Sequence, residues 1–229
     1  MSENNPYTPP QSNVYQAEPS SGQINPDWEI GTVMSEAWAK VDGFKMTYFI
    51  AMVIYIVIST AVNGVVSFVG SESVFIGFIG QILIMLVTYP LAAGLMMMGI
   101  KRVRGLDVQP TMIFDYYPKT IPIFLLNLLM FALIAVGLIL LVLPGIYLMI
   151  AYLLAVPLLI DKNFGIWQSL ETSRKIITPC WFRFFGLVIV MSLIVIVSAL
   201  PLLIGLIWTL PMFSLVVGII YRDLIGFSE

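Results

Sequence analysis

The sequence predicts an all-α fold: a polytopic membrane helical bundle whose six transmembrane helices pair as three hairpins, beside amphipathic interfacial helices on the cytoplasmic side. Three observations predict it. Of 229 residues, 59% are hydrophobic and only 10% charged, against roughly 45–50% and about 25% in soluble domains. Four runs, residues 46–71, 73–100, 120–160 and 184–221, contain no Asp, Glu, Lys or Arg. All eleven Lys and Arg fall outside these runs, where a single topology places every one of them on the same face of a bilayer.

Residues 1–28 read as a disordered cytoplasmic tail. They hold no basic residue and are rich in Asn, Pro, Ser, Gln and Tyr, so they bury too little apolar surface to offset the entropy of ordering. The stretch Asn5-Pro6-Tyr7-Thr8-Pro9-Pro10 favours an extended polyproline conformation that a partner protein could read. No apolar run precedes residue 30, so no cleavable signal peptide is expected and the amino terminus begins in the cytoplasm.

The membrane domain is expected over 29–229. Its first element is an amphipathic helix at 30–44. Ile30, Val33, Met34, Ala37, Trp38, Val41 and Phe44 share one face at 100° per residue, opposite Thr32, Ser35, Glu36, Lys40 and Asp42. A helix rises 1.5 Å per residue, so about 20 residues cross a 30 Å hydrocarbon core. The first two runs are therefore one span each, at about 46–70 and 74–100. The third and fourth, of 41 and 38 residues, are twice too long and must fold back. Pro144-Gly145 divides the third into 121–143 and 145–160, and Pro201 with Gly205 divides the fourth into 184–200 and 202–221.

The charges test this count. As single spans, the two long runs would put Lys162, Arg174, Lys175 and Arg183 opposite the other seven basic residues. Folded back, they leave all eleven on one side and Glu72 alone on the other. The bias of basic loops toward the cytoplasm then places both termini inside. Trp28, Trp38, Trp167 and Trp181 flank the cytoplasmic ends of spans, at headgroup depth. Trp208, fourteen residues before Arg222, falls in the outer half of the core.

Between the second and third spans, Pro110 and Pro118 allow at most a short helix within 106–118. Before the fifth span a second amphipathic helix is expected over 165–177, with Ile166, Trp167, Leu170, Ile176 and Ile177 opposing Gln168, Glu171, Thr172 and Lys175. The chain thus divides into three units of surface segment plus hairpin, at 28–104, 105–160 and 161–222. Pro90 and Pro211 each precede a basic residue, Lys101 and Arg222, by eleven positions. Either an internal repeat or the regularity of any six-span protein accounts for this.

Chemistry is sparse. The chain has one cysteine and no histidine, and no carboxylate pair, nucleophile–base set or Gly-rich phosphate loop appears, so neither an enzyme nor a cofactor is expected. Consecutive Met96, Met97 and Met98 point 100° apart and cannot converge on one copper ion. Cys180 reads as an apolar filler, and Glu171 and Asp161 as solvated charges. A net charge of −2 and dispersed basic residues argue against nucleic acid as a partner. The spans hold no ionisable residue, which argues against a proton-coupled pump. Their most polar residues, Asn63, Gln81 and Asn127, either bond between helices or line a translocation path. Lys101, Arg102, Arg104, Arg174, Lys175 and Arg183 either set topology or contact anionic headgroups or a partner.

From residue 144 the stretch PGIYLMIAYLLAVPLLIDKNFGIWQSLETSRKIITPCWFRFFGL carries a Pro-Gly turn (Pro144, Gly145), a proline in the next span (Pro157), an acidic residue (Asp161), Ser169-Leu170 and Ser173 on an amphipathic helix, and the aromatic-basic set Trp181, Phe182 and Arg183. This pattern resembles the glycerophosphoryl diester phosphodiesterase membrane-domain family and related bacterial inner-membrane proteins of the YciC type. The resemblance implies a helical bundle in the bacterial cytoplasmic membrane. The soluble phosphodiesterase domain fused to some relatives has no counterpart here, so catalysis does not carry over. Ala151-Tyr152 stands where the family has a basic residue after the turn. The sequence thus leads to a non-catalytic inner-membrane protein that binds membrane lipid, a partner protein or a second copy of itself at the cytoplasmic leaflet. A small-solute or lipid transporter or channel is the alternative.

Overall fold

The computed structural model describes residues 28–70, 73–200 and 203–227. The tail expected at 1–28, apart from Trp28, lies outside the described residues, as do Glu72 and Pro201. The described residues are helical, with no strand among them. In chain order they form α1 (Ile30–Val41), α2 (Lys45–Gly70), α3 (Val74–Val103), α4 (Thr120–Leu140), α5 (Val142–Ala151), α6 (Ala155–Asp161), α7 (Ile166–Ile177), α8 (Trp181–Ala199) and α9 (Leu206–Leu224). Short 3-10 turns at Pro110–Phe114 and Tyr117–Lys119 lead into α4, and another at Thr178–Cys180 leads into α8. Six stretches are long and apolar enough to cross a membrane: Lys45–Val69, Val74–Val103, Pro110–Leu140, Val142–Asp161, Ile166–Ala199 and Leu206–Leu224. The protein is therefore a multi-pass membrane protein in its architecture. The third and fifth stretches start earlier than the sequence places them, because the short helices before them run on into the apolar helix.

The centre of the bundle is α9, which packs against α1, α2, α3 and α8 and is buried at Thr209, Met212, Leu215, Val216, Ile219, Ile220 and Tyr221. Its proline, Pro211, and Pro90 of α3 both lie inside continuous helices. Beside Pro90, the Tyr117 hydroxyl donates to the Val87 carbonyl at 3.1 Å, so the turn before α4 serves the helix backbone where a proline has disturbed it.

The first helix, α1, follows its 3.6-residue period by burying Val33, Ala37 and Val41. Its buried face lies on α9, and Trp38, which the sequence assigns to that face, is 56% exposed. Trp28 is not at a free edge: it is 6% exposed and meets Phe184 edge-on, ring centroids 5.2 Å apart. A bidentate pair fastens α1, with Arg222 Nη1 and Nη2 donating to Glu36 Oε1 and Oε2 at 2.7 and 3.0 Å.

That pair yields a pH prediction. Hydrogen bonds from Arg222 hold the Glu36 carboxyl below its ordinary value of 4.5, against the opposing effect of burial. A carboxyl depressed in the folded state contributes stability above its unfolded pKa and loses it as pH falls through the folded value. Glu36→Gln should therefore lower stability by about 1 kcal/mol at neutral pH, a partly exposed pair being worth no more. The variant and the wild type should converge as pH drops below 4.5, measured by protease protection of α1 in detergent.

Two breaks depart from the sequence expectation. The turn between α4 and α5 is at Leu141, which is extended at φ −157° and ψ 134°, and Pro144 and Gly145 lie in the first turn of α5. A first-turn proline lacks only an N–H with no intrahelical acceptor, so it starts the helix instead of bending it. The expected fourth span at 145–160 is also interrupted. It divides into α5 and α6 at residues 152–154, just where the ring of Pro157 would meet the carbonyl of residue 153, four positions back.

Candidate functional site

At the end of α3 three basic residues occur within four positions: Lys101, Arg102 and Arg104. Cations favour a helix carboxyl terminus because it carries partial negative charge. Gly105 then closes the helix in the left-handed region at φ +83°. The amides of Gly105 and Leu106 donate back to Arg102 and Lys101 carbonyls at 3.1 and 3.0 Å, so the chain reverses and returns toward α3. The 3-10 turns that follow bring Tyr116 and Lys119 beside Lys101. With the end of α6 they enclose a cleft of about 190 Å³, lined by Lys101, Arg104, Lys119, Tyr116 and Asp161 and by the apolar side chains of Met97, Ile100, Leu106 and Ile160.

Each polar group in the cleft is held from a different element. Lys101 Nζ lies 2.9 Å from Asp115 Oδ2 and 5.5 Å from the centroid of the Tyr116 ring. Lys119 Nζ donates to the Ile160 carbonyl at 2.8 Å and to Asn163 Oδ1 at 2.6 Å. It therefore caps the end of α6, whose chain turns at Asn163 with φ +53°, a conformation asparagine tolerates. Asp161 is the fixed negative charge of the site. Its side chain is 7% exposed and lies 3.8 Å from Arg104 and 4.0 Å from Lys162, and it accepts from the Tyr221 hydroxyl at 2.8 Å. Arg104 also lies over the Phe227 ring at 5.3 Å. The reading of Asp161 as a solvated charge is thus corrected: it is a buried acceptor tying α6 to α9, sixty residues along the chain.

The six basic residues singled out in the sequence separate. Lys101 and Arg104 line the cleft. Arg102 points away and donates to the Asp42 carbonyl at 3.2 Å, between α1 and α2. Arg174 and Lys175 meet Glu171 of their own helix, Arg174 through two bonds of 2.9 and 2.7 Å and Lys175 at 3.4 Å. Arg183 lies in the first turn of α8. Of the intramembrane polar residues, Asn63 donates to the Ser59 carbonyl and Asn127 to the Ile123 carbonyl, both at 2.8 Å and both within their own helices. Gln81 is exposed on α3. Trp208, expected far from the basic face, has the Lys45 ammonium 5.7 Å from its ring.

Lys119 and Tyr116 in the cleft, and Tyr221 behind Asp161, are residues that the sequence does not single out. The one local signal for Lys119 and Tyr116 is the pair of prolines around 110–118, which shortens that segment enough to fold back on α3. Ser169 and Ser173 stand out in the sequence only as parts of a motif, yet both are fully buried on α7. Ser169 bonds the Gly165 carbonyl of its own helix at 2.9 Å, whereas Ser173 reaches the break between α5 and α6. Among the described residues no group of three or more His, Cys, Asp or Glu is placed to hold a metal ion. No family model matches the chain, and neither a curated protein nor a solved structure matches it at a significant level.

Proposed function

We propose that this protein is a non-catalytic component of a bacterial cytoplasmic membrane, with both termini inside, that binds anionic lipid at the inner leaflet. The observation that carries this reading is the cleft, where Lys101, Arg104 and Lys119 converge above an apolar wall at the helix ends. Basic pockets between transmembrane helices at that face are suited to anionic headgroups, with each cation worth about 1 kcal/mol near the surface. The charge distribution of the sequence supports the same orientation, and the resemblance of residues 144–187 to bacterial inner-membrane domains supports the setting. The polar residues that a transport path would need are bonded to their own helices at Asn63 and Asn127, so lipid binding is the better-supported reading.

Two results test it. A reporter fused after Glu229 should be active only if it functions in the cytoplasm, and activity restricted to the external compartment overturns the orientation. Protein reconstituted in lipid discs should unfold at a higher temperature when anionic lipid replaces part of a phosphatidylcholine bilayer. Added salt should reduce that gain, since exposed charges are screened within about 10 Å at 0.1 M. Equal unfolding temperatures in both bilayers would overturn the binding reading.

A further inference from the structure

We infer that the cleft between the ends of α3, α4 and α6 is a phosphomonoester site, selecting a doubly charged phosphate over a singly charged phosphodiester. The inference rests on the lipid-binding reading above and adds the chemistry of the group bound. Of the charged residues that line the cleft, Lys101, Arg104 and Lys119 face one carboxylate, Asp161, while Asp115 and Lys162 lie beside the lining as the partners of Lys101 and Asp161 and offset each other. Three cations against one anion leave two positive charges. A phosphomonoester carries about −1.5 to −2 at neutral pH because its second proton leaves near pH 6, and a phosphodiester carries −1. The monoester is the closer match.

The donors are placed for it. Lys119 spends two of its three ammonium protons on neutral oxygens, the Ile160 carbonyl and Asn163 Oδ1, which leaves one donor and its whole charge for a ligand. Asp161 is fixed from behind by the Tyr221 hydroxyl, and so holds its position beside Arg104 without closing the cleft. An arginine and two lysines offer more donors than one singly charged oxygen pair can use, and three phosphate oxygens can take them up. On the membrane side Met97, Ile100 and Ile160 continue the lining as an apolar wall, which suits the glycerol and first methylenes of a lipid. Phosphate chemistry of this kind comes from two sources, phosphatidate in the leaflet or a soluble phosphomonoester, and the experiment separates them.

The full chain is placed in discs of phosphatidylcholine alone, or with phosphatidate or with phosphatidylglycerol, and its unfolding temperature and retained lipid are measured. Phosphatidate should be preferred over phosphatidylglycerol, and the preference should grow from pH 5 to pH 8 as the second phosphate proton leaves. Lys119→Gln and Lys101→Gln should each weaken it about five-fold, and together about thirty-fold. Lys175→Gln, whose charge lies beside Glu171 outside the cleft, should leave it unchanged. If inorganic phosphate stabilises the wild type in phosphatidylcholine discs, and loses that effect in Lys119→Gln, the source is soluble and the site stands. Equal retention of phosphatidate and phosphatidylglycerol, or equal loss in Lys175→Gln, overturns the phosphomonoester site while leaving anionic-lipid binding intact. No preference for either anionic lipid over phosphatidylcholine overturns both. Each variant is accepted only if it elutes as the wild type on size-exclusion, and the two lysine variants, on separate elements, give independent readings.

Discussion

Replacing Ser173 by alanine should destabilise the protein by about 2–6 kcal/mol, the cost of leaving two buried backbone groups without partners at roughly 1–3 kcal/mol each. Ser173 is fully buried on α7. Its hydroxyl donates to the Ala151 carbonyl at 2.7 Å and accepts from the Leu154 amide at 3.2 Å. In an unbroken helix the Ala155 amide would bond Ala151 and the Leu154 amide would bond Ile150. Here Ala155 donates to Tyr152 instead, because the helix tightens ahead of Pro157. One side chain thus replaces both missing bonds of the break. A broken helix within a membrane-spanning stretch persists only where such groups are satisfied by protein. Ser169→Ala is the control. Its hydroxyl bonds the Gly165 carbonyl, which also accepts the Ser169 amide at 2.9 Å, so its loss orphans nothing. Thermal unfolding in detergent should fall by roughly 4–24 °C for Ser173→Ala and by no more than about 4 °C for Ser169→Ala. Equal shifts would show that α5 and α6 are not held by this hydroxyl.

The same two serines show where the sequence stops being informative. Six apolar helices could be counted because the absence of charge over 20 or more residues is a local property, set by the thickness of hydrocarbon that must be crossed. The burial of Val33, Ala37 and Val41 was equally legible, since a 3.6-residue period needs no knowledge of the partner. That the partner is α9 was not. Ser173 and Ser169 lie four apart on one face of α7 and look alike, and only the position of Pro157 in another helix makes one of them structural. Asp161 beside a polar helix reads as solvated until Tyr221, from the far end of the chain, is seen to donate to it. The turn at Pro144 was displaced for a related reason: proline both breaks helices and begins them, and the choice was made by the extended backbone of Leu141, which has no signal of its own. Lys119 counted toward topology by its charge alone, and only the fold-back at Gly105 carries it to Lys101.

Gly99→Leu should cost more than about 4 kcal/mol, because the neighbour it strikes is backbone and cannot turn aside. The helices α3 and α9 approach most closely here. A Cβ on Gly99 would collide with the carbonyl of Ser214, and a Cβ on Gly218 would lie 2.9 Å from the Gly99 oxygen. Ser214 and Gly218 are four apart, so Gly99 sits against a small-residue stripe of the kind that lets membrane helices touch. Gly99→Ala should cost about 1–3 kcal/mol. Gly64→Ala should be neutral or stabilising by up to about 1 kcal/mol, since Gly64 lies inside α2 with nothing within 4 Å of a new Cβ and alanine favours the helix. The crossing also bears on the cleft. Lys101 and Arg104 leave from α3 and Tyr221 from α9, so pushing the two helices apart draws Tyr221 away from Asp161 and releases the carboxylate that positions Arg104. Gly99→Ala should therefore lose anionic-lipid preference although no cleft side chain has changed, and Gly64→Ala should keep it. Retained preference in a destabilised Gly99→Ala would mean that the cleft is set by α3 and α6 alone.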